Sequence, residues 1–253
     1  MVRAKKYLGQ HFLTDVSIAS RIALALKNES DYPVLEIGPG TGILTNELIK
    51  RDFSNLTLVE IDTESVEYLK EYFDNTKFNL LEADFLKMDL SEFCNPEMCI
   101  IGNFPYNISS QIFFKALENR EHVSEIVCMI QKEVAERIAS KEGNKTYGIL
   151  SVLMQLYYRS EYLFTVHENV FNPPPKVKSG VVRFERYRSV IPDVDEKKLV
   201  LVVKTAFNQR RKTLRNSLKP MLTPETDMTH RFWNLRPEQL APDEFVELTN
   251  LLK

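Results

Sequence analysis

The passage Val34-Leu35-Glu36-Ile37-Gly38-Pro39-Gly40-Thr41-Gly42 restricts the fold of this chain more than any other stretch. Val34 to Ile37 is a short, largely apolar run, as a strand covered on both faces requires. It stops at a turn carrying glycines at 38, 40 and 42, and a helix is predicted from Ile43 to Lys50. Strand, glycine turn and helix form the opening unit of a doubly wound α/β sheet, whose first turn lies against a ligand. A dinucleotide fingerprint would need glycines at 38, 40 and 43, but position 43 is Ile. Pro39 has no amide hydrogen and so weakens any phosphate cradle. Gly38 and Gly40 instead suit close approach by a ligand without phosphate, such as S-adenosylmethionine.

The rest of the chain repeats the alternation. Further apolar runs at 56–59, 78–81, 98–101, 126–130, 163–166 and 180–184 read as strands. Between them, helices are predicted after Asp15 as a cap, over 64–73, from a serine cap at Ser109, through Glu133 and Arg137, and over 149–156. The fold class expected is α/β: a Rossmann-like sheet of seven strands with helices on both faces and an antiparallel pair at the edge. Composition changes at Val190-Ile191-Pro192-Asp193, which places a domain boundary between 1–189 and 190–253. The second part reads as all-α, with helices at 194–208 and 210–219 and a pair after Pro224 and Pro237.

Three strand ends carry polar residues fit for binding. Glu60 lies 22 residues after Gly38, where an acidic side chain takes ribose hydroxyls in such folds. Asp84 ends the next strand and is placed to accept a bond from an adenine amine. The run Met98 to Ile101 ends at Gly102-Asn103-Phe104-Pro105-Tyr106-Asn107. The Asn103 amide oxygen can accept a hydrogen bond from an amine. Pro105 fixes its own φ and biases Phe104 away from helix, which directs the Phe104 carbonyl. Tyr106 offers a flat face on which a base can stack. Two acceptors beside an aromatic plate suit an aromatic amine such as that of adenine.

Charge is unevenly spread. Residues 29–97 hold sixteen acidic and five basic side chains, a local net of −11, which leaves +9 elsewhere in a chain of formal charge −2. Residues 210–219 hold five basic side chains and no acidic one. A nucleic acid would avoid the first region and settle on the second. Arg211, Arg215 and Lys219 recur every fourth residue, so a helix over 210–219 would align them on one face. No run reaches the roughly 20 apolar residues of a membrane span, and the start lacks a signal-peptide apolar region. Three cysteines and four scattered histidines show no metal-ligand spacing. These patterns predict a cytoplasmic protein without disulfides, metal or membrane contact.

Several of these stretches resemble one family. Tyr7-Leu-Gly-Gln-His-Phe-Leu13 resembles the opening motif of the small-subunit ribosomal RNA adenine dimethyltransferases. Asn103-Phe-Pro-Tyr106 resembles the Asn-Leu-Pro-Tyr turn of adenine amino-methyltransferases, with Phe104 for Leu. Phe171-Asn-Pro-Pro-Pro-Lys-Val177 and the string 206–218 are similar to further motifs of the same dimethyltransferases. The resemblance implies an S-adenosylmethionine-dependent enzyme that dimethylates two adjacent adenosines near the rRNA 3′ end, acting as a monomer on a pre-assembled small subunit. It implies that Gln10, His11, Leu13, Glu36, Gly38, Gly40, Glu60, Asp84 and Asn103 hold the methyl donor. Asn103, Phe104, Pro105, Tyr106 and Phe171 would hold the target base, with Phe171 and Tyr106 on its two faces. Arg210, Arg211, Lys212, Arg215 and Lys219 would hold RNA. The alternatives are a large-subunit dimethyltransferase, a DNA adenine methyltransferase, or a catalytically silent RNA-binding relative.

Overall fold

The computed structural model describes residues 2–28, 31–94 and 96–252. Its strands are β1 (Phe12–Leu13), β2 (Val34–Ile37), β3 (Leu56–Glu60), β4 (Asn79–Glu82), β5 (Met98–Asn103), β6 (Val123–Gln131), β7 (Tyr158–Val166), β8 (Phe171–Asn172) and β9 (Ser179–Arg186). The helices are α1 (Val16–Ala25), α2 (Ile43–Lys50), α3 (Thr63–Tyr72), α4 (Ser109–Glu118), α5 (Lys132–Ile138), α6 (Ile149–Gln155), α7 (Glu196–Asn208), α8 (Leu214–Ser217) and α9 (Pro242–Leu251).

Seven strands form one sheet in the order β4-β3-β2-β5-β6-β9-β7. From β4 to β6 all neighbours run parallel, and β9 is antiparallel to β6. All four residues of β2 and all five of β3 are buried, which is why their sequences lack polar alternation. The chain moves outward from β2 through β3 to β4 and then returns to β5 on the other side of β2. Strand order therefore reverses between β2 and β5, and the crevice at their carboxyl ends is where such sheets bind ligands. The expected α/β class and its antiparallel edge both hold.

Two compact units divide the chain, with one boundary at 186/187, near the composition change, and with 136–158 joined to the later part. One comprises the residues up to 135 with 159–186; the other comprises 136–158 with 187–253. In the second unit α6 packs against α7 and α9. There the ring of Tyr147 lies 6.2 Å from Phe207, which stacks on Phe245 at 5.9 Å. A composition change at 190 carries no trace of that aromatic contact across sixty residues of sequence.

Aspartate side chains cap α1, α3 and α7, and three expectations for the helices need correction. Asp15 accepts bonds from the Ser17 and Ile18 amides and so caps α1. Ser109 is not a cap but the first residue of α4, and its hydroxyl donates to the Tyr106 carbonyl. The helix expected over 210–219 is also broken. Thr213 is extended, and α8 covers only Leu214–Ser217 before a separate 3-10 turn at Lys219–Met221. Burial of Leu214 and Leu218, with the Leu214 amide bonded to the Leu235 carbonyl, outweighs helix propensity here. After Pro224 the chain forms a 3-10 turn, Arg231–Asn234, rather than an α-helix.

The switch point is closely packed. A Cβ on Gly102 would stand 2.5 Å from the Ile37 carbonyl oxygen and 3.1 Å from the Phe104 ring. Gly102→Ala must therefore part β5 from β2 at the ends that shape the crevice. We expect it to lower unfolding free energy by roughly 1–3 kcal/mol, as overpacking does, in urea titrations. An unchanged midpoint would refute this account of the glycine.

Candidate active site

The carboxyl ends of the parallel strands open into a cleft of about 1000 Å³, counting its mouth. Ile37, Gly38 and Gly40 line it from β2, Val59 to Ile61 from β3, and Ala83 to Leu86 from the loop after β4. Asn103 to Ile108 follow from β5, and Tyr7 to Phe12 form the remaining wall.

Every glycine amide of the glycine turn is already paired. The Gly38 amide donates to the Val59 carbonyl at 2.9 Å and the Gly42 amide to the Pro39 carbonyl at 2.9 Å. The Gly40 amide donates to Glu60 Oε2 at 3.0 Å, and Pro39 has no amide hydrogen. The three glycine amides are thus all taken and Pro39 offers none, which leaves a phosphate few donors in this turn. Gly40 adopts φ +56°, and a Cβ there would meet the Phe12 ring at 2.8 Å. Its bareness lets the Tyr7–Phe12 wall close onto the turn.

Glu60 is only 4 % exposed. Its Oε1 accepts from the Asp62 amide at 2.9 Å, so the carboxylate joins the glycine turn to the turn after β3. Burial raises its pKa, opposed by the hydrogen bonds from the Asp62 and Gly40 amides. Each oxygen still has a lone pair for a ligand hydroxyl. Asp84 also lines the cleft, with Oδ1 capping the 3-10 turn Phe85–Lys87 through the Leu86 amide at 3.0 Å.

Asn103 sits at the last position of β5. Its Nδ2 donates to the His11 backbone carbonyl at 3.0 Å. A carbonyl cannot donate, so this bond fixes which end of the amide is nitrogen. Phe104 buries its ring against Phe113, 6.1 Å away, and its amide donates to the Met129 carbonyl. The bulk that replaces Leu therefore lies in the core. The Tyr106 hydroxyl bonds Ser179 Oγ at 2.6 Å, and burial raises its pKa. His11 lies 5.5 Å from the Tyr106 ring and donates from Nδ1 to the Pro173 carbonyl at 2.8 Å, which sets its tautomer.

Three expected site residues lie outside the cleft. Leu13 and Phe171 pair across β1 and β8 and are both 4 % exposed, turned into the hydrophobic core. Phe171 therefore cannot stack a base against Tyr106 in this arrangement. Glu36 is likewise buried, its Oε2 accepting from the Thr45 hydroxyl of α2 at 2.8 Å. Gln10 lines the cleft, but both ends of its amide are engaged, with the Lys5 amide at 2.8 Å and with Asp62 at 3.1 Å. Arg211, Lys212, Arg215 and Lys219 are exposed in the second unit; Arg210 is half-buried there, 3.5 Å from the Asn144 carbonyl. Among the described residues no group of three His, Cys, Asp or Glu side chains could hold a metal ion.

Sequence reasoning missed other lining residues, Ile61 above all. Ile61 is 51 % exposed directly after a strand-end acid. An apolar residue at such a position is the signal that could have marked it as a surface for a ring.

The family model described as Ribosomal RNA adenine dimethylase matches residues 1–251. The chain belongs to this family. Among relatives of the dimethylase, a "Ribosomal RNA small subunit methyltransferase A" from Bacteroides thetaiotaomicron is 54 % identical, covering 99 % of this chain and 94 % of its own. The crystal structure of a dimethyladenosine transferase from Plasmodium falciparum superposes with TM-score 0.79 at 26 % identity, covering 94 % of this chain and 96 % of that one. The 23S rRNA methyltransferase ErmE gives TM-score 0.70 at 26 % identity, with coverages of 95 % and 99 %.

Glu36 supplies a test of the dimethylase core that is independent of catalysis. Burial, partly offset by the Thr45 bond and reinforced by the Glu60 charge, pushes its pKa from an ordinary 4.5 to about 8. Between those values the folded chain holds a proton that the unfolded chain has released, so stability falls as pH rises through that window. Glu36→Gln should flatten this fall in urea unfolding at pH 5 and pH 8. Equal pH dependence in the two proteins would place Glu36 in contact with water.

Proposed function

We propose that the cleft binds S-adenosylmethionine beside an extruded adenosine, and that the chain dimethylates N6 of two adjacent adenosines near the 3′ end of small-subunit rRNA. The observation that carries this reading is the Asn103–His11 bond. With the amide nitrogen held by the wall, Asn103 Oδ1 is left as an acceptor for the amine. Family membership supplies the rRNA adenine, and the small-subunit relative at 54 % identity favours that subunit over the 23S target of ErmE at 26 %.

The residues fit this donor. Glu60 is placed for ribose hydroxyls, Ile61 for the adenine face and Asp84 for the adenine amine. A turn whose three glycine amides are already paired suits a donor without phosphate. When bound, S-adenosylmethionine supplies a sulfonium methyl carbon, to which the amine lone pair bonds as the carbon–sulfur bond breaks. Asn103 Oδ1 and the Phe104 carbonyl accept the two amine hydrogens and turn the lone pair away from the base. Tyr106, anchored through Ser179, stacks the base and offsets the few kcal/mol needed to extrude it. After attack the nitrogen loses one proton to water. A monomethylated amine keeps one hydrogen for the same acceptors, so a second round uses the same geometry.

Asn103→Ala should lower the methylation rate of small subunits by at least about 100-fold, the scale of a misplaced reacting group. Donor affinity by calorimetry should change far less. Near-normal turnover would remove Asn103 from the chemistry.

Within residues 1–189, the unit that comprises the residues up to 135 with 159–186 is proposed as the donor-binding and catalytic part, and Arg210, Arg211, Lys212, Arg215 and Lys219 of the helical part as an rRNA contact. Replacing Arg211 and Arg215 by Gln should leave donor affinity unchanged and weaken binding to the pre-assembled small subunit. The salt slope of that binding should flatten by roughly 0.7–0.9 for each phosphate no longer neutralised. An unchanged slope would place the RNA elsewhere. A cytoplasmic monomer completes the proposal, and light scattering of the purified chain tests the monomer. Among the described residues no helix is long and apolar enough to cross a membrane.

A further inference from the structure

The wall formed by Tyr7 to Phe12 is held very differently at its two ends. Its carboxyl end is tied to backbone: β1 pairs with β8, the Thr14 amide donates to the Val170 carbonyl, and Asn103 donates to the His11 carbonyl. Its amino end has no strand partner. Between Val2 and Leu13 no side chain is fully buried, and the 3-10 turn Lys6–Leu8 at the centre of the wall buries none. Tyr7 is 76 % exposed. Apart from Val2, which is buried at the start of the stretch, residues 3–12 have little apolar packing to fix them, and polar contacts carry most of the load.

Those contacts converge on one carboxylate. Lys5 Nζ forms an ion pair with Asp62 Oδ1, and Gln10 Nε2 donates to Asp62 Oδ2 at 3.1 Å. Gln10 Oε1 accepts from the Lys5 amide at 2.8 Å, which closes residues 5–10 into a loop on Asp62. Asp62 is 3 % exposed, and Ser65 Oγ also donates to it. Burial pushes its carboxyl pKa up, but the hydrogen bonds from Lys5, Gln10 and Ser65 outweigh that and hold it below the usual range. The Arg3 amide adds a bond to Glu64 at 3.2 Å. Asp62 is not itself a lining residue. Its amide donates to Glu60, so one residue joins the wall to the turn that carries the ribose acceptor.

We propose that Asp62 is a positioning residue for the methyl donor, holding residues 5–10 through Lys5 and Gln10 so that the cleft wall is formed before the donor arrives. The inference rests on reading this cleft as the donor site. It also removes Lys5 from the cations available to RNA. Without the latch, residues 5–10 stay tethered at Leu13 and, more loosely, through Val2 and Arg3, but lose every side-chain bond that holds them to Asp62. Ordering them then falls to the donor and weakens its binding, while the reacting groups stay as they were.

Asp62 also caps α3, so the decisive variant is Lys5→Ala, which leaves the cap in place. Hydrogen exchange without ligand should show amides 5–10 exchanging about tenfold faster in Lys5→Ala, with α3 and the sheet unchanged. The dissociation constant for S-adenosylmethionine by calorimetry should rise about tenfold, with kcat at saturating donor within about twofold of the parent chain. Lys5→Arg should restore both exchange and affinity. Exchange and affinity both unchanged in Lys5→Ala would overturn the proposal. Faster exchange with unchanged affinity would overturn the link to the donor. A parent chain that binds no S-adenosylmethionine would overturn the reading of the cleft, and the exchange data would still decide whether the latch exists.

Discussion

The buried carboxylate of Glu60 is the joint on which the site depends. It accepts from the Gly40 amide on one side and from the Asp62 amide on the other. Two loops from different strands are thereby fixed to one side chain, in surroundings where a charge without partners would be costly. The glycine turn keeps its left-handed geometry because its amides point inward to partners. Asp62, held by the same carboxylate, in turn receives Lys5 and Gln10 from the chain start. Glycine turn, acidic turn and amino-terminal wall thus form one hydrogen-bonded unit, closed on its fourth side by Asn103.

Much of this was legible in the sequence because it depends on local patterns. The spacing from Gly38 to Glu60, the apolar runs that stop at polar residues, and the Asn103–Tyr106 turn each mark a strand end, and strand ends meet in one crevice. What was not legible depends on side-chain parity and distant partners. Leu13 and Phe171 lie in two-residue strands, too short for alternation to say which face each takes. Phe12 turns to the cleft while its neighbour Leu13 turns to the core. Gln10 does line the cleft, but its bond to Asp62 was not legible, because the two lie 52 residues apart in sequence.

The basic stretch 210–219 shows the same limit. Its fourfold spacing of cations satisfied a helix, but Leu214 and Leu218 on the same stretch are fully buried. Their packing sets the backbone; Arg211, Lys212 and Lys219 stay exposed on the flanking turns and Arg215 on the four-residue helix, while Arg210 is half-buried. The charge survived this change; the single helix over 210–219 did not.

The inward-facing amides of the glycine turn bear on competition inside a cell. Nucleoside triphosphates and dinucleotides carry the same adenosine as the methyl donor and could use the same ribose and base contacts. Enzymes that want them add a row of amides for the phosphates. In this cleft Pro39 and the bonds to Val59, Glu60 and the Pro39 carbonyl take up most of that row. A polyphosphate entering would shed its water and regain few donors from the turn. Withheld phosphate contacts, rather than a repulsive group, are what this turn sets against the adenine nucleotide pool.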